Sequence, residues 1–582
     1  MNPGNEHSPG PADGHGGYLS RRSLLGLGAG LGSAALLGLS GCGTTTTPAP
    51  SATPSPSPAG PVAFRLGTPS APRSLDPSLV IDADSHRLTR QIFEGLMRTD
   101  PDNGAPQPAL ATDWEASADG LTYTFTLRPG VTFHDGTELT ADVVVRNFER
   151  WARRTDNPST PDALAFKAVF HHRETETTTP SEDTDEPELD EHMQNALDGL
   201  PDVPEAVREG ESYFASCTAA DQATFVLELN APLTGLVQAL TLPGLAIAAP
   251  ASTPEAPIGT GPYRYVGAED GVHTLERYTG HWRKRPEAVD RIEFTVLRDG
   301  ASRLRSMLAG SVDGFDAVTT AEMRELVRSG QQILQRDPFS VLYLGMNQSE
   351  GPLSSLPVRQ AASHAIQRSQ VIDDRFIAGT AEARAFLPPS LGIEAPATYY
   401  GYDVDEAERL LEEAGYDGEP IPFLYPLNVT RGYLPLPERT YAEIAAQLTK
   451  AGFKIEPVPL EWGDDYLEAV FGGEYAGFHL LGWTGSYRDP DHFLSSIFAE
   501  AKTQFGYDAA NLRTHVAAAR SMPDTPERAA AYQAISEVIA RDLPALPLAF
   551  PISALTVSTD VTSYPVSPVL DEPLDRVRML TT

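Results

Sequence analysis

From Val62 onward, stretches of strand-like composition alternate with stretches whose apolar residues recur every three or four positions, with no repeat period. "VAFRLG" reads as a strand, Ser85 to Met97 as a helix, and Thr122–Gly136 as a strand, a Pro-Gly turn and a short strand. "TADVVVRNFERWAR" follows as a helix with Thr140 as N-cap and Asp142 in its first turn. Further strands are expected at Ala223–Asn230, Arg291–Leu297, Val341–Asn347, "FKIEPVPL" and Tyr475–Leu481. Further helices are expected at "ASRLRSMLAGS", "PVRQAASHAIQRSQVIDDR", "DEAERLLEEAGY" and about Glu438 to Ala451. "ALPLAFPISALTV" reads as a buried strand run that carries the chain back toward an earlier lobe. Such alternation predicts α/β lobes. A body of about 520 residues is too long for one core and predicts two or three.

The residues ahead of Val62 read differently. Leu19 to Gly43 places Arg21 and Arg22 before an uncharged, Gly-rich apolar run from Leu24 to Leu39. That run falls short of the about 20 residues a spanning helix needs, and it reads as a signal-peptide core. Leu39-Ser40-Gly41-Cys42 resembles a lipoprotein lipobox, which implies lipidation of Cys42, and Ser20-Arg21-Arg22 resembles a twin-arginine export signal. An ordinary signal peptide with a chance cysteine is the alternative. A Thr/Ser/Pro tether without apolar periodicity follows, at residues 43–61. With Cys42 lipidated, Cys217 has no disulfide partner in the chain and reads as a small packed apolar residue.

The formal charge of −35 argues against nucleic acid as a partner. Much of it is local: Arg173 to Glu211 carries fourteen acidic and two basic residues, and its first half reads as a solvated insertion without a hydrophobic pattern. These acids lack the Gly-punctuated spacing of a calcium loop. The motifs of enzymes are missing: there is no Gly-x-Ser-x-Gly, no His-Glu-x-x-His, no P-loop, and no Gly-x-Gly-x-x-Gly after a strand. His171-His172 has no third ligand at metal spacing, and Asp489-Pro490-Asp491-His492 reads as a turn stabilised by aspartate side chains. No catalytic residue, cofactor or metal is expected.

Several segments in order carry a resemblance. The most specific is "EGLMRTDPDNGAPQPALATDWEASADGLTYTFTLRPGVTFHDGTELTADVVVRNFERW". "PIGTGPYRY", "RIEFTVLRDGASRLRSMLAGSVDGFD", "YLGMNQSEGPLSSLPVRQAASHAIQRSQVID", "AERLLEEAGY" and "LEWGDDYLEAVFGGEYAGFHLLGWTGSYRDPDHFL" follow it. Together they resemble the family-5 extracytoplasmic solute-binding proteins of bacterial ABC importers, the peptide/nickel class. The resemblance implies an α/β, two-lobed periplasmic-binding-protein-like fold with an additional small domain, hinged by two crossing segments near Asp337–Asn347 and Asp542–Leu555. After the signal peptide (residues 1–42) and the tether, lobe I would take 62–100, 222–340 and 541–582. The extra domain would take 101–221, with the acidic insertion at about 173–211, and lobe II would take 341–540.

The resemblance also implies a pocket wall. The Gly482-Trp483 segment would lie along the ligand, and the position three after the Trp, commonly an aspartate that pairs with a ligand ammonium, is Ser486 here. Asp489 is the candidate substitute. Trp462, Tyr487 and Phe550 are further candidate contacts, with Ser85 and His86 in the loop leading into the first helix. The implied function is a monomeric, non-enzymatic binder, lipid-anchored at Cys42 on the extracytoplasmic face of the membrane. It would deliver a peptide or peptide-like solute to an ABC permease. The missing aspartate keeps a blocked peptide or an oligosaccharide as the alternative ligand, and a surface receptor without its own permease as the alternative role.

Overall fold

The computed structural model describes residues 61–80, 82–155, 164–170, 197, 199–205, 212–498, 504–507 and 510–580. Cys42, His171-His172 and nearly all of the acidic insertion lie outside them. Among the described residues, the chain builds two large sheets, a four-stranded sheet and two two-stranded ribbons.

Phe64 and Leu66 are fully buried on the strand Ala63–Thr68. This strand pairs in parallel with Arg291–Val296 and with Gly314–Phe315. The complete seven-stranded order is Gln332–Arg336, Ser553–Val557, Gly314–Phe315, Ala63–Thr68, Arg291–Val296, Val272–Arg277 and Tyr263–Glu269. The six-stranded sheet runs Ala381–Glu382, Ala545–Phe550, Ser340–Met346, Phe478–Thr484, Ile421–Leu427 and Ile455–Glu461. Ser340–Met346 is buried at every residue, as a central strand covered on both faces should be. A four-stranded antiparallel sheet, Ala111–Ala116, Thr122–Leu127, Thr224–Leu229 and Phe214–Ala219, extends past residue 221. The helix Ala141–Thr155 packs on it through Phe148, whose ring lies 5.0 Å from both Trp151 and Phe225. Cys217 is buried there, its Sγ 3.9 Å from the Val145 carbonyl, and burial pushes the thiol up to about 12.

Local readings shift where tertiary pairing overrides them. The first helix is Ala83–Ile92, not Ser85–Met97, because the Asp82 carboxylate accepts the Ser85 N–H (2.9 Å) and sets an earlier start. It ends at Phe93, where the backbone turns extended, and Met97–Thr99 pairs with Pro106–Pro108 as a ribbon. Ser85 and His86 therefore sit inside the helix and not in a loop before it. The run from Pro357 to Arg375 divides into helices Leu356–Ala365 and Arg368–Ile372. The strand expected at Tyr475–Leu481 is displaced to Phe478–Thr484 by its pairing with Ser340–Met346. Asp489–His492 is not a turn: Pro490 opens the helix Pro490–Phe498, and Asp489 caps it by accepting the Asp491 N–H (2.9 Å).

"ALPLAFPISALTV" divides between the two large sheets. Ala545–Phe550 belongs to the six-stranded sheet and Ser553–Val557 to the seven-stranded one, so the chain passes between them at Pro551-Ile552. The other passage is Asp337–Phe339, between Gln332–Arg336 and Ser340–Met346.

Arg336, at the foot of that passage, is 1 % exposed. It donates to Glu572 (2.6 Å) and Asp316 (2.8 Å), and Arg87 pairs with the same two carboxylates. Tyr564 donates to Glu572 as well (2.9 Å). Burial alone would raise the Asp316 carboxyl, but Arg336 and Arg87 hold it well below its ordinary range. Removing one member leaves buried charge unmatched. Arg336→Ala is expected to cost about 3–5 kcal/mol in denaturant unfolding, and a loss below 1 kcal/mol would show that the cluster carries no stability.

Candidate functional site

Ile421–Leu427 runs parallel to both Ile455–Glu461 and Phe478–Thr484. The carboxyl ends of three neighbouring strands therefore emerge on one side, the place where open α/β sheets present ligand-binding groups. Arg431 and Tyr433 follow the first strand, Trp462 follows the second, and Trp483 sits near the end of the third. Phe339 and Ser340 arrive at the same edge from the antiparallel neighbour, where Ser340 Oγ lies 3.0 Å from Thr484 Oγ1.

Two glycines make this edge possible. A Cβ on Gly482 would lie 2.4 Å from the Tyr433 ring and 2.6 Å from the Val341 carbonyl. A Cβ on Gly485 would meet the Phe339 ring at 2.3 Å, and the Gly485 N–H donates to the Phe339 carbonyl (2.8 Å). The Gly-Trp pair thus exists because the strand must lie directly against a tyrosine ring while presenting an indole.

The aromatic groups are held from behind. Trp483 meets His492 edge-on at 5.4 Å, and Tyr487 stacks on His492 at 4.1 Å. His492 Nε2 accepts the Ser486 N–H (2.9 Å), which places the ring proton on Nδ1 and fixes the Ser486 backbone. Trp462 stacks on Tyr466 at 5.8 Å, and the Arg431 guanidinium lies 4.5 Å over its other neighbour face. Arg431 reaches to 3.8 Å from Asp84 on the helix Ala83–Ile92, so this pair joins groups from the two large-sheet regions. Ser70 Oγ also donates to Asp84 (2.6 Å), whose carboxyl is raised by burial. Three buried N–H groups on this wall have no hydrogen-bond partner: Arg431 Nε, Trp462 Nε1 and Trp483 Nε1. Buried donors in native proteins are almost always paired, so these three define where acceptor atoms are wanted.

The structure brings Trp462, Trp483 and Ser486 to this edge, and it does not free every other candidate. Asp489 is spent, with both oxygens bound by Arg528 (2.9 and 3.0 Å) and 3 % exposure. Tyr487 is buried in the core that includes the four-stranded sheet, and Phe550 is buried in the core of the six-stranded sheet. Ser85 is fully buried, its Oγ accepting the Arg73 N–H (2.9 Å). His86 lies on the helix with its Nδ1 buried and unpartnered. Arg431, Tyr433 and Asp84 went unread in the sequence. Arg431 and Tyr433 stand in a Gly/Pro-containing connection without periodicity, and Asp84 falls just ahead of the helix expected from Ser85, where no local pattern marks it. Among the described residues, no group of three His, Cys, Asp or Glu could hold a metal ion, and no helix is long and apolar enough to cross a membrane.

Burial holds three imidazoles neutral: His492 and His479 are lowered to about 3, and His86 to about 4. Unfolded histidines take a proton near 6.5, so their contribution to stability is complete above that pH and is lost as pH falls toward 3. Thermal melts between pH 7 and 4 are expected to fall steadily, and His492→Phe should reduce the slope. An unchanged slope would show that His492 is already charged in the fold.

Residues 105–505 match the model described as bacterial extracellular solute-binding proteins, family 5 middle. The heme-binding protein A of Haemophilus influenzae is 26 % identical over 517 residues, covering 86 % of this chain and 89 % of that protein. The dipeptide-binding protein of Escherichia coli is 27 % identical over 476 residues, covering 79 % and 84 %. Among solved structures, a dipeptide-binding protein of Pseudoalteromonas in complex with Met-Leu superposes with a TM-score of 0.73 at 21 % identity, covering 89 % of this chain and 100 % of that one.

Proposed function

Since the chain belongs to the bacterial extracellular solute-binding proteins of family 5, we infer that it captures a peptide or peptide-like solute. As a member of that family it is the extracytoplasmic solute-binding component of an ABC importer, a transport component and not an enzyme. The observation that carries the ligand reading is the set of three unpartnered N–H donors, from Arg431, Trp462 and Trp483, at the carboxyl ends of parallel strands. A peptide offers backbone carbonyls and a terminal carboxylate to such donors, and the indole faces accept its side chains. A curated relative named as a dipeptide-binding protein and a solved structure in complex with the tetrapeptide STSA support the same reading.

The proposed working parts are two lobes built on the seven- and six-stranded sheets, turning about Asp337–Phe339 and Pro551-Ile552. The Asp84–Arg431 pair is a contact that favours the closed form, and a ligand with contacts to both lobes shifts the population toward it. Cys42 is the proposed lipid anchor, followed by the tether of residues 43–61. Two or three acyl chains hold firmly where one does not. Cys42→Ala is therefore expected to move the protein from the membrane fraction to the soluble one; unchanged fractionation with normal processing would remove the anchor from this reading.

A second ligand reading draws on Ser486 and Asp489. Ser486 supplies no charge and Asp489 is occupied by Arg528, so the Gly-Trp wall offers no open carboxylate to an ammonium. That favours a solute without a cation there, such as a blocked peptide or an oligosaccharide. Calorimetry with free and N-acetylated dipeptides separates the two readings. Under the second, wild type binds the acetylated peptides at least as well, and Ser486→Asp raises affinity only for free N-termini, by about tenfold or more. Tight wild-type binding of free peptides that acetylation abolishes would decide for ordinary peptide capture, with Asp84 as the carboxylate that remains.

A further inference from the structure

The connection between Val272–Arg277 and Arg291–Val296 is built around one buried acid, Glu94. Glu94 accepts hydrogen bonds from Thr260 Oγ1 (3.0 Å), Trp282 Nε1 (2.8 Å) and Arg283 Nη2 (2.9 Å), with His281 Nε2 at 3.2 Å. Burial alone would raise its carboxyl, but His281, Arg283 and Trp282 outweigh that and hold it at about 2. The Trp282 ring is flanked by two guanidiniums, Arg128 at 4.1 Å and Arg283 at 4.7 Å. A loop pinned in this way presents its remaining side chains in fixed positions.

Those side chains enclose a cavity of about 310 Å³, lined by Arg277, His281, Arg283, Lys284 and Arg285 and by a single carboxylate, Asp575. Ligand cavities of small organic molecules begin at about 300 Å³. The cations are not all used. Arg277 is committed to Asp290 (2.6 Å) and two carbonyls, and Arg285 to Asp575 (2.7 Å). Lys284 is exposed, donates only to the Thr279 carbonyl (3.1 Å), and has no carboxylate within ion-pair distance among the described residues. Arg283 Nε is buried without a hydrogen-bond partner. This concentration of positive charge stands in a chain whose net charge is −35. Tyr278 and Pro286 complete the lining with apolar surface.

We propose that this cavity is a second binding site, separate from the Trp462–Trp483 wall, that takes an oxyanion borne on a small organic body, a phosphate monoester being the chemistry that fits. Phosphate oxygens accept from the Lys284 ammonium and from the Arg283 Nε–H that has no partner, for which charge-assisted bonds are strong. The organic part rests on Tyr278 and Pro286. The same headgroup chemistry occurs in a soluble phosphate ester and in an anionic phospholipid.

Calorimetry of the intact protein with glycerol 3-phosphate, and co-sedimentation with phosphatidylcholine vesicles that do or do not contain phosphatidic acid, the phospholipid that bears a phosphate monoester, separate the sources. The lipid arm uses Cys42→Ala protein so that the acyl anchor does not contribute. Saturable binding of glycerol 3-phosphate that weakens about tenfold in Lys284→Glu, and weakens with added salt, supports the site and a soluble ligand. Sedimentation with the phosphatidic acid vesicles and not with pure phosphatidylcholine, lost in Lys284→Glu, supports the site and a headgroup. Absence of both, equal binding to the two vesicle types, or binding unchanged in Lys284→Glu overturns the proposal. Lys284 is exposed and makes one backbone hydrogen bond, so the variant is expected to fold; a melting temperature matching wild type checks this.

Discussion

The pairing of Arg336 and Arg87 with Asp316 and Glu572 is the constraint that fixes the seven-stranded-sheet side of the connection between the two large sheets. Arg336 closes the last strand before one passage to the six-stranded sheet, and Glu572 lies in the segment that follows the return passage. Gln91, on the same helix as Arg87, bonds the backbone of Glu572 and Leu574, so the C-terminal segment is strapped to that helix. Four largely buried charges that pair with one another, with Tyr564 added at Glu572, tolerate little displacement, because any shift exposes an unmatched charge to a low-dielectric interior. The foot of the connection is thereby rigid. At Asp337–Phe339 and Pro551-Ile552 the chain belongs to neither sheet, which is why the proposed turning points lie there.

Above that foot, the candidate wall follows from strand direction. Parallel neighbours deliver Arg431, Trp462 and Trp483 to one edge, and close packing against Tyr433 and Phe339 demands Gly482 and Gly485. His492 serves as a neutral spacer that holds Ser486, Tyr487 and Trp483. Charge that might have faced a ligand is drawn inward instead: Asp489 is bound to Arg528, and Asp491 lies 3.1 Å from Arg520. The result is an edge rich in donors and poor in open carboxylates.

The same logic of a buried acid organising its surroundings recurs at Glu94. There the organised groups are basic and point into a cavity rather than toward the wall. A chain that is acidic overall can carry a local cationic site because fixed geometry, and not net charge, decides the field within a few ångströms.

Periodicity and composition alone determined the α/β class and the strands and helices with the clearest patterns, but left unmarked the helices Thr320–Arg328, Ala510–Ser521 and Pro526–Asp542 and the strands Tyr263–Glu269 and Ile421–Leu427. The marked elements depend on local patterning that any fold of this chain must satisfy. Order of motifs determined the family, and Gly482-Trp483 marked the wall. Tertiary structure decided the rest. The first helix was reset by the Asp82 cap and by pairing at Met97–Thr99, and "ALPLAFPISALTV" was divided between two sheets that no local signal distinguishes. Asp489 looked available because its sequence neighbours are polar, but its partner Arg528 is remote in the chain. Arg431 and Asp84 are separated by hundreds of residues and meet only across the two large-sheet regions. Whether a charge is free or spent depends on contacts between distant segments, and that information exists only once the chain has folded.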